Sequence, residues 1–273
     1  TVTNHDRDSA GMRYIYPVAS RRAGGLSIGV NLNPNNACNW CCCYCQVPNL
    51  VRGSAPEIDT ALLKMEFVDL LHRVVDGNFL QQQLPEGMRQ LCDVAISGNG
   101  EPTSSRQFAD VVDMLADSMA HAGIGRSVPL RVITNGSYCG RAVVQQGLRR
   151  MAQRGGEIWI KVDGGDVATV SRINGVSVAE EQICKQVEQA ASCCPTWVQS
   201  CMIACSDGRS VLSDGDVDRY LHLLVQLRPS IEGVYLYTPV RPSHQQDVGV
   251  LPQEWMDALA GKIETLGLRV HLA

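Results

Sequence analysis

Residues 37–46 read ACNWCCCYCQ and contain five of the twelve cysteines in this chain of 273 residues. Three of them, Cys38, Cys42 and Cys45, have the spacing C-x3-C-x2-C. Three thiolates on one loop can hold three irons of a four-iron cluster and leave the fourth iron open, whereas most clusters that only transfer electrons have four cysteine ligands. A tetrahedral zinc site also needs four protein ligands, and no histidine lies beside this segment. The spacing therefore favours an iron–sulfur cluster with one open iron over a zinc knuckle or a nest of buried cysteines.

The composition around this segment is that of a soluble globular protein. Hydrophobic residues make up 45% of the chain and charged residues 19%, so a sizeable core is available. The net charge of -4 gives no basic surplus of the kind that nucleic-acid binding needs. No apolar run approaches the ~18 residues of a membrane span, and residues 1–15 lack the apolar stretch of a signal peptide. We therefore expect a cytoplasmic protein whose reduced cysteines bind a metal or cluster rather than form disulfides.

Short apolar runs alternate with amphipathic segments along the chain. The predicted strands cover residues 26–32, 93–97, 130–134, 157–162, 196–203 and 233–238, with 268–272 as a candidate final strand. The predicted helices cover residues 61–75, 108–122, 143–151, 179–191, 217–227 and 255–266. This alternation predicts an α/β fold with a parallel sheet and right-handed crossovers, built either as an open doubly wound sheet or as an incomplete barrel. We predict a single domain over residues 26–273, preceded by an N-terminal extension over residues 1–25.

Polar motifs follow four of the predicted strands at their carboxyl ends. They cover residues 33–46, 98–103, 135–136 and 163–165. Ligands of parallel α/β folds bind at the carboxyl ends of the strands. These four segments are therefore predicted to meet in one site.

The cysteine segment resembles the characteristic loop of the radical SAM superfamily. The likeness lies in the C-x3-C-x2-C spacing, in the aromatic residue Tyr44 just before the last cysteine, and in the position after the first strand. It implies a partial (β/α)6 barrel of the TIM type, a 4Fe-4S cluster on Cys38, Cys42 and Cys45, and S-adenosylmethionine (SAM) bound to the open iron. Cys38, Cys41 and Cys45 form a rival ligand set, but only the set with Cys42 puts Tyr44 at the aromatic position of the motif.

Residues 97–103, SGNGEPT, resemble the G-G-E-P segment that in this superfamily cradles the methionyl amino group of SAM. Asn99 stands where the first glycine of that segment is expected. The residues that carry the match are Gly100, Glu101 and Pro102, with Ser97 and Gly98 as backbone contributors. A cationic ammonium group favours such carbonyl and carboxylate acceptors. Taken alone, the segment is equally typical of an ordinary turn between a strand and a helix.

Further candidate residues follow the later strands. Asn135 lies in a T-N-G turn that is similar to one in the superfamily and also to any simple turn. Lys161 and Asp163 resemble the K-x-D strand of enzymes related to the wybutosine tRNA-modifying group, where these positions lie near SAM and substrate; a structural ion pair is the alternative. Cys201 is a candidate reactive thiol or a buried cysteine. Arg241 is a candidate ligand of an anionic substrate or an exposed loop residue.

The resemblance implies an enzyme that cleaves SAM reductively to methionine and a 5′-deoxyadenosyl radical, which abstracts hydrogen from an unidentified substrate. It also implies a reductant such as flavodoxin or ferredoxin as a partner. A small molecule is the preferred substrate class because the chain is acidic, with tRNA or a peptide as alternatives, so that nucleic acid stays open. An iron–sulfur electron carrier or redox sensor without SAM cleavage and a zinc-stabilised binding module are the rival classes. No membrane partner is expected.

Overall fold

The structure, a computed structural model, describes residues 11–20, 24–205, 207–239, 243 and 248–272. Its main sheet has eight strands, which lie side by side in chain order. They are β1 (Ile15–Ser20), β2 (Gly25–Val30), β3 (Leu91–Ile96), β4 (Leu130–Thr134), β5 (Glu157–Lys161), β6 (Thr196–Cys201), β7 (Gly233–Tyr237) and β8 (Arg269–Leu272). Strands β2 to β8 are parallel to one another and β1 is antiparallel to β2. The predicted α/β class with a mostly parallel sheet is confirmed.

Helices follow the strands as the alternation predicts. They are α1 (Thr60–Val75), α2 (Phe79–Gln83), α3 (Phe108–His121), α4 (Ala142–Gln153), α5 (Val167–Asn174), α6 (Glu180–Ala191), α7 (Asp214–Leu227) and α8 (Gln253–Thr265). Six match the predicted helices within a few residues, and the predictions missed α2 and α5. Helix α5 is rich in β-branched residues, which lower helix propensity. In the part of the chain that the structure describes, no helix is both long and apolar enough to cross a membrane.

Strand β1 lies inside the segment predicted as an N-terminal extension. It pairs along its whole length with β2, with Ile15 opposite Val30. Glu66 of α1 fixes the entry to this strand, because its two carboxylate oxygens accept the backbone N–H groups of Arg13 and Tyr14 at 2.8 Å each. Tyr14 and Ile15 are buried in the core. The predicted boundary at residue 26 therefore does not separate β1 from the sheet to which it belongs.

The two faces of the sheet differ in chemistry because side chains alternate along each strand. Ile158 and Ile160 of β5 are buried in the hydrophobic core that the sheet shares with the helices. Trp159 and Lys161 of the same strand point to the opposite face, called here the inner face. The core thus occupies one side of the sheet and leaves the inner face for aromatic and polar side chains.

Stacked aromatic rings fill the middle of the inner face. Trp159 stacks on Tyr235 with ring centroids 4.0 Å apart, and Tyr235 stacks on His271 at 4.8 Å. The Arg131 guanidinium lies 5.0 Å from the Trp159 ring and bonds to Glu157 at 2.6 Å. The rings occupy the middle of the strands, so the site forms above them at the carboxyl ends.

Candidate active site

Helix α5 holds the cysteine loop, the name used here for residues 37–46. The backbone N–H of Cys41 donates to the Asn174 carbonyl at 3.0 Å, and that of Cys43 donates to the Ile173 carbonyl at 2.8 Å. Gly175 ends the helix with a φ of +66°, and a Cβ there would come within 2.7 Å of the Cys41 carbonyl oxygen. Both the left-handed backbone and the close approach require glycine at this position. The C-terminus of α5 is therefore the support on which the middle of the cysteine loop rests.

Two of the predicted ligand thiols accept N–H hydrogen bonds. The Cys38 sulfur accepts the Trp40 backbone N–H at 3.4 Å, and the Cys42 sulfur accepts Nδ2 of Asn174 at 3.3 Å. Burial is the largest of the effects that together raise the pKa of both thiols to about 12. The thiols therefore keep their protons at neutral pH, and a bound cation would have to displace them.

The donor chemistry of this loop fits a cluster, although no metal centre is preformed. Among residues 11–20, 24–205, 207–239, 243 and 248–272, no group of three histidine, cysteine, aspartate or glutamate side chains is arranged to hold a metal ion. Hydrogen bonds to sulfur are nonetheless a regular feature of iron–sulfur ligands, and Cys45 acts electrostatically on both Cys38 and Cys42. Ligation of a cluster by Cys38, Cys42 and Cys45 remains a prediction.

The loop after β3 packs directly against the start of the cysteine loop. A Cβ on Gly100 would lie 1.9 Å from the Ala37 carbonyl oxygen, and one on Gly98 would lie 2.3 Å from Oδ1 of Asn31. Ser97, the first residue of this loop, lies against β1, where its hydroxyl is 3.1 Å from the Tyr16 hydroxyl. The two glycines are therefore required by close packing of protein against protein.

Asparagines fasten this second loop to the chain before the cysteines. Oδ1 of Asn31 accepts the backbone N–H groups of Asn33 and Asn99 at 3.0 Å each. Nδ2 of Asn99 donates to Oδ1 of Asn36 at 2.7 Å. Asn99 thus has a specific role at the position where the superfamily pattern has glycine, because its side chain joins the two loops.

Glu101 joins the ends of β3 and β4. It is buried, and its Oε1 accepts the Thr103 backbone N–H at 2.9 Å and the Thr134 hydroxyl at 2.6 Å. Its Oε2 accepts the Asn135 backbone N–H at 2.8 Å. Burial raises the pKa of Glu101, and these hydrogen bonds act to lower it. Groups of the protein itself donate to both oxygens of the carboxylate, so Glu101 is a positioning residue. Pro102 begins the short 3-10 helix Pro102–Ser104 that follows it.

Asn135 ties the third polar motif to the cysteine loop. Its Nδ2 donates to Oδ1 of Asn39 at 2.8 Å, and its Oδ1 accepts the Ser137 backbone N–H at 3.0 Å. Asn39 in turn donates to the Ser137 hydroxyl at 2.9 Å. The T-N-G turn therefore anchors the residue that follows Cys38.

Asp163 is the centre of a buried hydrogen-bond network. One carboxylate oxygen accepts the Tyr44 hydroxyl and Nδ2 of Asn174, the latter at 2.7 Å. The other oxygen accepts the Cys201 backbone N–H at 2.8 Å. Asp163 is only 1% exposed, so these donors replace the water that a charged carboxylate would otherwise need. The aromatic residue of the cysteine motif is thereby fixed to the end of β5.

Lys161 and Asp163 point to the same side, as strand alternation predicts, and both contact the Tyr44 hydroxyl. Its Nζ lies 3.4 Å from the hydroxyls of Tyr44 and Tyr237. Burial acts to lower the pKa of Lys161, but the charge interactions around it, that of Asp163 among them, raise the pKa above its ordinary value. The amine therefore carries a positive charge at the carboxyl ends of β5 and β7.

The remaining candidates take different places. Cys201 is buried at the end of β6, where its backbone N–H donates to Asp163. Arg241 lies outside the described residues.

Sequence reasoning missed the asparagines that support the site. Asn39 and Asn174 bond directly to predicted site residues. The only signal for Asn174 is the Asn-Gly pair at residues 174–175, which is typical of a turn. Gln199 was also missed; it lies opposite Lys161 in the sheet, is only 4% exposed, and its carboxamide makes no hydrogen bond to any residue that the structure describes.

Comparison with solved structures identifies the fold. A radical SAM methyltransferase from Sphaerobacter thermophilus superposes with a TM-score of 0.63 at 13% identity, over 94% of this chain and 68% of that one. TYW1 with a lysine-pyruvate adduct bound gives 0.57 at 14% identity, over 89% of this chain and 74% of that one. No protein-family profile matches the chain, and no curated protein matches its sequence.

Streptococcus suis SuiB bound to S-adenosylmethionine gives a TM-score of 0.56 at 13% identity over 90% of this chain. The chain spans about half of the length of SuiB, 49%. These proteins are radical SAM enzymes, and the chain has their fold, a partial barrel with a mostly parallel sheet. The resemblance drawn from the cysteine and G-E-P segments is confirmed at the level of the fold.

Proposed function

We propose that this chain is a radical SAM enzyme that binds a 4Fe-4S cluster through Cys38, Cys42 and Cys45, and SAM beside it. The observation that carries the proposal is the contact between its two motif loops. Gly100 lies against the carbonyl of Ala37, so that the G-E-P loop and the cysteine loop form one surface at the carboxyl ends of β2 and β3. A chain with this fold and this pair of fused loops fits the cofactor set.

The cluster, when bound, supplies an electron for the reductive cleavage of SAM to methionine and a 5′-deoxyadenosyl radical, which abstracts hydrogen from the substrate. The residues of this chain position and enclose that chemistry. Glu101 fixes the ends of β3 and β4, which leaves the backbone of residues 97–100 as the surface for the methionyl ammonium group. Asp163 fixes Tyr44 beside the cysteines. Burial of these groups excludes water from the site.

The substrate is proposed to bind on the inner face, above the stacked rings. Lys161, Gln199 and Tyr235 are neighbours in register across β5, β6 and β7. Lys161 offers a positive charge and Gln199 offers an amide that is not used within the described protein. Both groups suit a small molecule that carries a carboxylate, because an ammonium and an amide N–H can donate to its two oxygens.

A covalent role for Lys161 is disfavoured. The structure of TYW1 holds a lysine-pyruvate adduct, and formation of such an adduct requires a neutral amine. The surroundings of Lys161 raise its pKa, which keeps the amine charged. Lys161 is therefore proposed to bind a negative group rather than to react with a carbonyl.

Two further parts of the proposal, the reductant and the cellular location, come from the class of enzyme rather than from named contacts. The reductant is a flavodoxin or a ferredoxin, and the location is the cytoplasm. A tRNA or a peptide is the alternative substrate. An electron carrier without SAM cleavage is the alternative function, and the fused loops argue against it because electron transfer alone does not need them.

An anaerobic assay tests the proposal. The protein is reconstituted with iron and sulfide, reduced with dithionite in the presence of SAM, and analysed for 5′-deoxyadenosine by mass spectrometry. We expect product from the wild type and from Cys41→Ala, and none from Cys38→Ala, Cys42→Ala or Cys45→Ala. Product from Cys42→Ala but not from Cys41→Ala would assign the rival ligand set. A protein with four irons and no product would be a carrier, and a zinc protein without iron would refute the proposal.

A further inference from the structure

Asn174 contacts the cysteine loop through both its backbone and its side chain. Its carbonyl accepts the Cys41 N–H at 3.0 Å, and its Nδ2 lies 3.3 Å from the Cys42 sulfur. The side chain is fully buried, at 0% exposure. Since Gly175 packs tightly against the Cys41 carbonyl, the end of α5 has little freedom to move away from the loop.

The carboxamide of Asn174 is held in one orientation. Nδ2 donates to Asp163 at 2.7 Å as well as to Cys42, whereas the buried Oδ1 has no hydrogen-bond partner among the residues that the structure describes. Reversal of the amide would place Oδ1 against a carboxylate oxygen and a sulfur, and both of these are acceptors. The protein thus leaves a buried carbonyl oxygen unpaired and keeps an N–H directed at the sulfur, and an unpaired buried group of this kind requires an explanation.

Asp163 is the fixed point of this arrangement. Besides Asn174, it accepts the Tyr44 hydroxyl and the Cys201 backbone N–H. The carboxylate is therefore anchored on β6, on α5 and on the cysteine loop. Its negative charge attracts the N–H end of the amide and so sets the donor that faces Cys42.

We infer that Asn174 is a positioning residue that donates an N–H hydrogen bond to the Cys42 sulfur and thereby sets the reduction potential of the cluster, with Asp163 holding the amide in place. The inference rests on the cluster in the proposed function. A hydrogen bond to a ligand sulfur stabilises the added negative charge of the reduced cluster, and such bonds are among the factors that set the potential. Removal of the donor is expected to make the midpoint potential more negative.

The test is a potentiometric titration of the reconstituted protein, followed by electron paramagnetic resonance of the reduced cluster. Asn174→Leu keeps the size of the side chain and removes the donor. Asn174→Ser keeps a polar group that is too short to reach the sulfur. Gln107→Leu is the control, because it removes a carboxamide that bonds to the backbone of Ile58 and to no thiol. We expect a more negative potential in both Asn174 variants and the wild-type potential in Gln107→Leu.

Each outcome decides the inference. An unchanged or more positive potential in an Asn174 variant with four irons overturns it, as does an equal shift in Gln107→Leu. Loss of iron from both Asn174 variants with a wild-type circular dichroism spectrum shows that the hydrogen bond retains the cluster rather than setting its potential, and overturns the inference. Loss of the helical signal shows a role in folding only and also overturns it. A potential shift in a protein that makes no 5′-deoxyadenosine supports this inference and refutes the proposed activity. Normal SAM cleavage without a shift of the potential in the Asn174 variants supports the proposed activity and refutes this inference.

Discussion

Gly100 and Ala37 lie so close together that a Cβ on Gly100 would stand 1.9 Å from the Ala37 carbonyl oxygen. One residue belongs to the loop after β3 and the other begins the cysteine loop. Nδ2 of Asn33 donates to the same carbonyl at 2.9 Å, so the oxygen cannot move aside without loss of a buried hydrogen bond. The two motif loops therefore form a single unit, and the packing between them is a requirement on Gly100 that is independent of any cofactor.

Gly100→Ala is expected to destabilise the protein and to prevent cluster assembly. The added methyl group meets a backbone carbonyl rather than a flexible side chain, so relief requires displacement of a loop. Overpacking of this kind costs ~1–3 kcal/mol. Urea unfolding measures the loss, and the iron content after reconstitution measures the effect on the site. Gly87→Ala is the control, because nothing lies within 4 Å of a Cβ there; equal losses in the two variants would contradict the argument.

Glu66→Gln is expected to release β1 from the sheet. The carboxylate of Glu66 accepts the N–H groups of Arg13 and Tyr14, and an amide would direct an NH2 group at one of them. A buried N–H that loses its acceptor costs ~1–3 kcal/mol. Hydrogen exchange is expected to rise over residues 14–20 and to stay unchanged in β5. Asp69→Asn on the exposed side of α1 serves as the control, and wild-type protection of β1 in Glu66→Gln would refute the prediction.

Asp216 is expected to make stability depend on pH. It accepts hydrogen bonds from Ser213, Thr169, Arg172 and Arg219 at the start of α7. Burial acts to raise the pKa of Asp216, but these bonds hold it well below its ordinary value of 3.8. Because the pKa is lower in the folded state, the carboxylate stabilises the protein above pH 3.8, and this stabilisation disappears as the pH falls through the lowered value.

Asp216→Asn measures this contribution. We expect a loss of ~1–2 kcal/mol in the free energy of unfolding at pH 7, since the helix loses its capping carboxylate. The difference from wild type should shrink as the pH falls below 3.8. Asp218→Asn, on the exposed side of the same helix, is the matched control and should show little effect. A difference that is constant from pH 7 to pH 3 would contradict the assignment to the carboxylate.

Local signals explain which elements the sequence predicts well. Strand β4 has the predicted bounds because Pro129 precedes it and the Asn135-Gly136 turn follows it. Strand β1 escapes prediction because Pro17 interrupts its pattern, and proline is tolerated in β1 because this is an edge strand. Helix α5 was not predicted because its stability comes from packing and from its caps, not from the helix propensity of its residues.

The residues of the site also fall into two groups, those that the sequence predicts and those that it does not. The cysteines and Glu101 lie in short motifs that can be recognised from residues adjacent in the sequence. Asn39 and Asn135 bond across 96 residues of chain, and an asparagine carries no information about its distant partner. The supporting asparagines can therefore be identified only from the structure, in which the strand ends lie together. The cysteines and Glu101 can be identified from the sequence.

Gln199→Leu is expected to stabilise the protein, which is the reverse of what loss of a buried polar group normally does. Gln199 is 4% exposed, and its carboxamide makes no hydrogen bond to a described residue, so leucine gives up no hydrogen bond within the described protein and adds apolar contact. A gain of ~0.5–2 kcal/mol at unchanged SAM cleavage fits a site that sacrifices stability for ligand binding. Gln107→Leu is the control of opposite sign, because the Gln107 amide bonds to both backbone groups of Ile58, at 2.6 and 2.9 Å. Urea unfolding of the two variants measures the change in stability. If Gln199→Leu destabilises the protein as Gln107→Leu does, the amide of Gln199 stabilises the fold. The proposed carboxylate site on the inner face then loses its main support.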